Sequence, residues 1–465
     1  MKRVVSILLA FCLVFSLSGT AFAANTCNCD KSPIIYVRGF GAPLYASQTN
    51  EKIYPPEKAD FEPVMAKIVF AALFLLGGFY RGFADLAMQA AEKLFEKVPC
   101  DDTGVPIVAS NVLEMGYPSA DYHKSDSLRT YDFPYDWRVD PMETAQQLRN
   151  FVRHVERVTG HSKISFVCHS MGSVIFASYL AQYGSDGVDS VVFLAPAFEG
   201  VSIMGSLLSG EADIGDKGDE VTMFLQSLPM LTDARVKKAV DVSGKLRLIH
   251  LLLRRLQPAL DFQFVRVFRK FLRPTFVTMP GIWSFVSDRY YERAKAFSFG
   301  SDKQYTELIR KLDRYHYGVQ TRLVDLLRVA QANGMKMSIV SGYGISSMPL
   351  SYEHTMQSDI LIATADSSIG AICAPFGETL PQSHVQSVED GHDHISADNL
   401  VDASTCAFPE QTWFIRDLMH FNFPYENEAF ILWLFRQKTQ PTVQTNAQYP
   451  QFMRQVGDDL LPVTE

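Results

Sequence analysis

The chain has 465 residues, of which 47% are hydrophobic and 20% charged, a usage that excludes a fibrous or largely disordered protein. A mean hydropathy of +0.00 excludes a polytopic membrane protein. The 43 Lys and Arg residues face 51 Asp and Glu, which gives a formal net charge of −8. This balance argues against nucleic acid as the main partner, because a phosphate-binding surface needs a positive field.

The first 23 residues have the pattern of a secretory signal peptide. Lys2 and Arg3 precede an apolar run from Val4 to Leu17, and Ala21-Phe22-Ala23 supplies the small residues of a cleavage site. The apolar run is shorter than the roughly 20 residues of a membrane-spanning helix, although a retained anchor is the alternative. We therefore expect residues 1–23 to be removed and the rest to be secreted or periplasmic.

Short apolar runs alternate with helical patterns along the rest of the chain. The helical patterns extend from Thr144 to Val158 and from Val319 to Ala332, and the second ends at Asn333-Gly334. The runs typical of strands buried on both faces are 33–37, 164–167, 191–194 and 337–340. This alternation predicts an α/β fold, a single domain over 24–465 with a mostly parallel sheet covered by helices.

Two regions interrupt the alternation, and we interpret them as cap or lid insertions at about 60–98 and 200–320. Ile68 to Tyr80 is uncharged and apolar, and as a helix it would be about 20 Å long, too short to cross a bilayer. It could contact a membrane surface, fill an apolar pocket or pack in the core. Arg235 to Arg273 holds 11 Lys and Arg among apolar residues, which is typical of a membrane-surface helix or of a core helix with a solvated cationic face.

The strongest chemical signal is the segment from Phe166 to Gly172, which reads Phe-Val-Cys-His-Ser-Met-Gly. It follows a predicted strand and precedes a predicted helix, the context in which a strained turn exposes a nucleophilic serine. Ser170 is therefore the predicted nucleophile. Cys168 stands where such turns usually carry glycine, and it is the alternative nucleophile, although the turn would direct its thiol into the fold.

A serine nucleophile needs a base and an acid, which follow it in this type of fold in the order acid, then histidine. We favour His420, which precedes a final amphipathic helix that includes 428–435. We favour Asp366 as the acid that orients the imidazole, because it follows the apolar run 360–362. The competing residues are His384, His392, His394, Asp359, Asp390 and Asp393.

The oxyanion intermediate needs two backbone N–H donors. One should be that of Met171, directly after the nucleophile, and the second should come from the loop after an early strand. The glycine-rich segment from Arg38 to Gly41 is suited to that task, and we expect the N–H of Phe40 to be the donor.

Export would place six cysteines in an oxidising compartment, where disulfides form. We expect Cys373 to pair with Cys406, and Cys100 with either Cys27 or Cys29. No cysteine spacing predicts a zinc site. The nearest candidate for an ion lies in the loop 384–398, which is rich in Asp and His, but such clusters are usually solvated, and we predict no cofactor and no metal.

The segment Tyr131 to Arg138, which ends in Tyr-Asp-Trp-Arg, resembles the signature of lecithin:cholesterol acyltransferase-like proteins. Weaker similarities occur at 194–198, 273–280 and 365–369, the last resembling the acid motif of that family. The resemblance implies an α/β-hydrolase with a cap that acts on acyl esters of lipids through an acyl-enzyme. We expect the Asp136–Arg138 pair to be structural, fixing the start of a helix.

Three functions are compatible with this pattern. The first is a secreted lipase, esterase or phospholipase A, and the alternative is an O-acyltransferase that passes the acyl group to an alcohol. The third is a catalytically silent lipid-binding protein. In each case a lipid or acyl ester is the expected ligand, and contact with a membrane surface is expected.

Overall fold

The computed structural model describes a large part of the chain. The described residues are 27, 29–57, 64, 67, 70–71, 73–111, 121–211, 234–245, 247–347, 356–423, 427–457 and 459–464. The predicted signal peptide lies outside them.

The strands of the described residues are numbered in chain order. They are β1 (Ile34–Val37), β2 (Leu44–Ala46), β3 (Lys52–Tyr54), β4 (Ser110–Asn111), β5 (Thr130–Phe133), β6 (Ile164–His169), β7 (Val188–Leu194), β8 (Lys336–Tyr343), β9 (Ile345–Ser346), β10 (Gln357–Ser358), β11 (Ile372–Cys373), β12 (Val401–Asp402), β13 (Thr412–Arg416), β14 (Phe452–Val456) and β15 (Asp459–Pro462).

The helices are numbered in the same way. They are α1 (Tyr80–Phe95), α2 (Pro141–Thr159), α3 (Met171–Tyr183), α4 (Ser202–Leu208), α5 (Ala234–Lys245), α6 (Leu248–Val267), α7 (Pro280–Trp283), α8 (Asp288–Phe299), α9 (Thr306–Gly318), α10 (Leu323–Ala332), α11 (Thr364–Ser367) and α12 (Glu428–Arg436). A π-helical stretch, Phe268–Val277, continues α6.

An eight-stranded sheet forms the centre of the fold, in the order β15-β14-β13-β8-β7-β6-β1-β5. All neighbouring strands in it are parallel except β14 and β15. Every residue of β6 is buried, as expected for a central parallel strand covered by helices on both faces. The four predicted strands and the predicted parallel sheet are confirmed, and the architecture is that of an α/β-hydrolase.

The register of three strands brings two loops to the same edge of the sheet. Val37, the last residue of β1, lies opposite Cys168 of β6 and Phe133 of β5. Because parallel strands end at a common edge, the loops that follow Val37 and His169 are neighbours there. The predicted oxyanion segment and the predicted serine turn therefore lie side by side.

The helix predicted from Thr144 to Val158 is confirmed as α2. It begins one turn earlier because Pro141 occupies its first position and the Asp140 carboxylate accepts the N–H of Met142. It ends at Gly160, which adopts the left-handed conformation (φ 71°) that favours glycine. Asp140, rather than the Asp136–Arg138 pair, thus fixes the start of this helix.

The helices outside the sheet alternation lie where insertions are predicted, although the boundaries 60–98 and 200–320 stay predictions. α1 packs on α6, and Tyr80 stacks on Phe262 with ring centroids 6.3 Å apart. Arg266 forms an ion pair with Asp85 across the same contact. An apolar cavity of about 230 Å³ lies between the two helices. No helix among the described residues is long and apolar enough to cross a membrane.

The expected disulfides are wrong. All six described cysteines are free thiols. Cys373 and Cys406 lie in the same small apolar cluster but are not bonded, and Cys100 is buried apart from Cys27 and Cys29. Burial raises the pKa of Cys100 to about 12, so this thiol stays protonated at neutral pH.

Candidate active site

Ser170 occupies the sharp turn between β6 and α3. Its backbone angles are φ 53° and ψ −119°, a conformation that residues other than glycine rarely adopt. The turn is held on both sides: the Ser170 N–H donates to Leu194 O at 3.0 Å, and its carbonyl accepts the Ser173 hydroxyl at 2.6 Å. The strand–turn–helix context predicted for Ser170 is confirmed.

Two glycines allow the backbone to approach this turn closely. A Cβ on Gly172 would lie 2.0 Å from Val37 O, so α3 can pack on the end of β1 only with glycine at this position. A Cβ on Gly39 would lie 3.0 Å from the Ser170 Cβ. The loop that contains Phe40 therefore lies directly against the serine.

Side chains of the segment 131–138 fix that loop. The Tyr135 hydroxyl donates to Arg38 O at 2.7 Å, and the Trp137 indole N–H donates to Ala42 O at 3.0 Å. The Trp137 and Phe40 rings pack with centroids 4.4 Å apart. Because the loop is tied at both ends, its backbone N–H groups have a defined position beside the nucleophile.

Met171 is the first residue of α3, and its side chain is fully buried. The N–H groups of the first helical turn have no acceptor within the helix, and they lie at the positive end of its dipole. The N–H of Met171 thus has the chemistry expected of an oxyanion donor, next to the loop that contains Phe40.

His420 lies beyond the end of β13, and its imidazole is paired with Asp359. His420 Nδ1 lies 2.8 Å from Asp359 Oδ2, and the His420 N–H donates to Asp359 O at 2.9 Å. Both side chains are buried, with exposed fractions of 4% and 1%. The other carboxylate oxygen of Asp359 accepts the N–H groups of Leu361, at 3.0 Å, and Ile362, at 2.8 Å. The carboxylate is therefore held rigidly against the imidazole.

The structure corrects the sequence interpretation of the acid. Asp366 lies in the short helix α11, where its carboxylate forms an ion pair with Arg289 at 3.0 Å. Asp359, a competitor in the sequence analysis, is the residue at the imidazole of His420. Asp359 directly precedes the apolar run 360–362 that drew attention to Asp366, and of these two aspartates it is the one that contacts His420.

His169, next to the serine, forms a second contact with His420. Its Nε2 lies 3.1 Å from His420 O, and the two rings are 4.9 Å apart. Burial, together with the nearby His420, lowers the pKa of His169 to about 3. The ring is neutral at pH 7, so Nε2–H donates to the carbonyl. Sequence reasoning missed this contact, which joins the serine turn to the histidine loop.

Ser170 follows β6, Asp359 follows β10 and His420 lies beyond β13. The contact of His169 with His420 brings the serine turn next to the histidine loop. In this part of the described chain no hydrogen bond joins Ser170 Oγ directly to His420 Nε2. Catalytic hydrogen bonds are often long in ligand-free enzymes and tighten when substrate binds. The arrangement provides a strained serine hydroxyl, an oriented imidazole and a backbone donor loop, which together suit acyl transfer.

Cys168 and the Asp136–Arg138 pair, which were also considered in the sequence analysis, have structural roles. Cys168 is fully buried, and burial raises the pKa of its thiol well above the usual value, so it is suited to packing rather than to attack. Arg138 is fully buried against Asp136 at 2.6 Å and donates to the carbonyls of Val98 and Val108. The Asp136–Arg138 pair therefore anchors the segment before β4.

Two of the three histidines of the loop 384–398, His384 and His394, have hydrogen-bond partners in the protein for their rings. His384 lies 2.8 Å from Asp402, and His394 contacts Asp390 at 3.0 Å and Gln451 at 2.8 Å. Within the described residues, this loop contains no set of three or more converging metal ligands.

Comparison with known proteins supports the same general class. The family model described as lecithin:cholesterol acyltransferase matches residues 108–216, which include the segment 131–138 and the serine turn. The predicted resemblance to this family is thereby confirmed over residues 108–216. No curated protein matches the chain.

Two solved structures show limited similarity. A chain of a Tle4–Tli4 complex is 12% identical, with 67% of this chain and 75% of that chain covered and a TM-score of 0.27. A carboxylesterase structure from the thaumarchaeon Nitrososphaera gargenis is also 12% identical, with 67% and 72% covered and a TM-score of 0.20. The assignment of the fold rests on the sheet topology described above.

Proposed function

We propose that this protein is a serine hydrolase that cleaves carboxylic esters of lipids through an acyl-enzyme on Ser170. The observation that carries the proposal is the strained serine turn, which lies between the loop containing Phe40 and an imidazole buried against Asp359. Ser170 would be the nucleophile, His420 the general base and acid, and Asp359 the residue that orients the imidazole.

The reaction would follow the order of these contacts. Ser170 Oγ attacks the acyl carbonyl carbon while His420 Nε2 accepts its proton. The backbone N–H groups of Phe40 and Met171 stabilise the oxyanion that forms. The protonated imidazole then gives its proton to the departing alcohol as the ester bond breaks. Water, deprotonated by His420, attacks the acyl-enzyme carbonyl, and the imidazole returns that proton to Ser170 Oγ as the ester bond breaks and the fatty acid leaves.

Exposed apolar side chains on the inserted helices support a lipid substrate. Phe262 of α6 is 75% exposed, and Leu73 and Phe79, before α1, are 60% and 68% exposed. Arginines on the same helix, Arg254 and Arg255, would face the headgroups of an anionic lipid surface. We propose that these helices contact the lipid surface from which the ester is taken.

The nucleophile is tested by labelling with a fluorophosphonate. We expect the parent protein to be labelled with one group per chain and Ser170→Ala to lose the label, while Cys168→Ala, the matched control in the same turn, retains it. Label that persists in Ser170→Ala would overturn the site assignment. An unlabelled parent that still binds lipid vesicles would favour lipid binding without catalysis.

A second experiment tests whether the acyl group is transferred to water or to an alcohol. The family match includes acyltransferases by its description, so the same phospholipid substrate is offered with and without a long-chain alcohol. We expect free fatty acid as the main product in both mixtures. A predominance of the alcohol ester would assign the protein to the acyltransferases, with the same residues in the same roles.

The lipid contact is tested with Phe262→Ser, compared with Val385→Ser, which changes a side chain that is 74% exposed in the loop 384–398. Losing a buried phenyl contact costs about 1.5–3 kcal/mol, so we expect vesicle binding of the first variant to be weaker by about 10- to 150-fold. Hydrolysis of a short soluble ester should be equal in both. Equal vesicle binding would refute the contact.

We also propose that the protein is exported, on the basis of the amino-terminal pattern from Lys2 to Ala23. Fractionation of expressing bacteria should find it outside the cytoplasm, with an amino terminus at Ala24. A cytoplasmic protein that begins at Met1 would refute the proposal.

A further inference from the structure

Four potential metal ligands converge at the edge of the sheet opposite to Ser170. They come from Cys27 and Cys29 before β1, from His123 in a 3₁₀ turn (Tyr122–Lys124) and from His161 after α2. One atom of each lies within 4.8 Å of the others. Among the described residues, no other group of three or more Cys, His, Asp or Glu side chains places its ligand atoms this close together.

Three of the six distances between the ligand atoms match those of a tetrahedral site. The two sulfurs are 3.5 Å apart, Cys27 Sγ lies 3.5 Å from His123 Nε2, and Cys29 Sγ lies 3.4 Å from His161 Nε2. With Zn–S bonds of about 2.3 Å and Zn–N bonds of about 2.0–2.1 Å, a tetrahedron has edges of about 3.8 Å between sulfurs and about 3.5 Å between sulfur and nitrogen. These three edges therefore agree with the ideal ones to within about 0.3 Å, and the other three edges are no longer than 4.8 Å.

The surrounding fold holds the cysteines near the histidines. The Cys27 N–H donates to Gly160 O at 3.1 Å, directly before His161. Lys31 Nζ forms an ion pair with Asp126 at 2.9 Å and donates to Lys124 O at 3.3 Å. These bonds connect the segment before β1 to both histidine-bearing loops.

The two histidines are buried while the cysteines are accessible. His123 and His161 are 6% and 9% exposed, and their rings pack edge to face with centroids 4.5 Å apart. Cys29 is exposed and Cys27 is half-buried. An ion could therefore enter from the solvent side and bind the two buried imidazoles, and the two cysteine thiolates would then cover it on that side.

We propose that Cys27, Cys29, His123 and His161 form a structural Zn²⁺ site. Two thiolates and two imidazoles are the ligand set that suits zinc, and the thiolates balance the charge of the ion. Four protein ligands leave no position for water or substrate, which separates this site from catalytic zinc centres. The ion would join the amino-terminal segment to two loops at the amino ends of β5 and β6.

The site is tested by metal analysis of the full chain, purified without chelators from cells grown with zinc. We expect one zinc per chain in the parent. Cys29→Ser and His161→Asn should each lose it, with Zn²⁺ affinity in competition with a chromophoric chelator lowered about 100-fold or more. Cys373→Ser and His392→Asn are the matched controls and should retain one zinc per chain.

Cobalt substitution of the parent protein keeps the test independent of how the variants fold. Co²⁺ bound to two thiolates in a tetrahedral site should give a thiolate charge-transfer band and intense visible d–d bands, and added Zn²⁺ should remove both. A zinc-free parent, an octahedral cobalt spectrum or a bond between Cys27 and Cys29 in the zinc-exposed protein would each overturn the proposal.

Discussion

Replacing Asp359 by asparagine separates orientation of the imidazole from packing. The carboxylate has two distinct sides: Oδ1 accepts the N–H groups of Leu361 and Ile362, and Oδ2 faces His420 Nδ1 at 2.8 Å. In Asp359→Asn the amide oxygen must stay on the two backbone donors, because an NH₂ group there would face N–H groups. The NH₂ group is then directed at His420 Nδ1.

This orientation determines the tautomer of His420. Nδ1 facing an NH₂ group must be the acceptor, so the ring proton moves to Nε2, the atom that should accept the proton of Ser170. Turning the amide over would leave two buried N–H groups unsatisfied, at about 1–3 kcal/mol each, so the wrong tautomer dominates. A matching change in another serine triad lowers kcat about 10⁴-fold, equivalent to about 5.4 kcal/mol.

We expect Asp359→Asn to lower kcat on a soluble p-nitrophenyl ester about 10⁴-fold, with KM within about threefold and the thermal midpoint nearly unchanged. The control is Asp366→Asn, which removes one charge of the Arg289 pair and should keep kcat within about tenfold. If the Asp366 variant lost more activity than the Asp359 variant, or if Asp359→Asn kept a tenth of kcat, the assignment of the acid would be refuted.

Three further changes test how the site is held. Gly172→Ala would place a Cβ 2.0 Å from Val37 O and should lower the free energy of unfolding by on the order of 3 kcal/mol or more. Gly318→Ala, at the end of α9 with no atom within 4 Å of the added Cβ, should leave it unchanged or raise it by up to about 1 kcal/mol, and denaturant titration measures both. The pKa of His169 is about 3 in the folded protein and about 6.5 in the unfolded chain, so the unfolded chain binds more protons below pH 7. The free energy of unfolding should therefore fall by about 2 kcal/mol between pH 7 and pH 5. This contribution to the pH dependence should be absent in His169→Gln. Trp137→Phe keeps an aromatic ring but loses the N–H that holds the oxyanion loop, so kcat on a soluble ester should fall about tenfold with KM unchanged, and an unchanged kcat would contradict the positioning role.

Much of the architecture could be predicted from local sequence patterns. A buried parallel strand reads as a continuous apolar run, which is why β1, β6, β7 and β8 were found within a few residues of their ends. The serine turn was recognisable because strand, turn and small residues occur in one short segment. His420 was identified as the histidine after the last strand that precedes the final helix.

The carboxylate partner of His420 was missed because two aspartates lie within eight residues of each other beyond β8. Both Asp359 and Asp366 are buried at this end of the sheet, and one faces His420 while the other faces Arg289. The local sequence does not indicate which of the two carboxylates faces His420 and which faces Arg289. A loose similarity to a family motif favoured Asp366, which pairs with Arg289 instead.

The sequence by itself determined the α/β class, the position of the predicted nucleophile and the general chemistry, because those depend on periodicity and on residues close together in the chain. Only the tertiary structure decided which aspartate meets His420 and that Cys29 meets His161, which is 132 residues away. Both contacts arise where separate loops end at the same edge of the sheet, and strand order and register, rather than local propensity, set which loops those are.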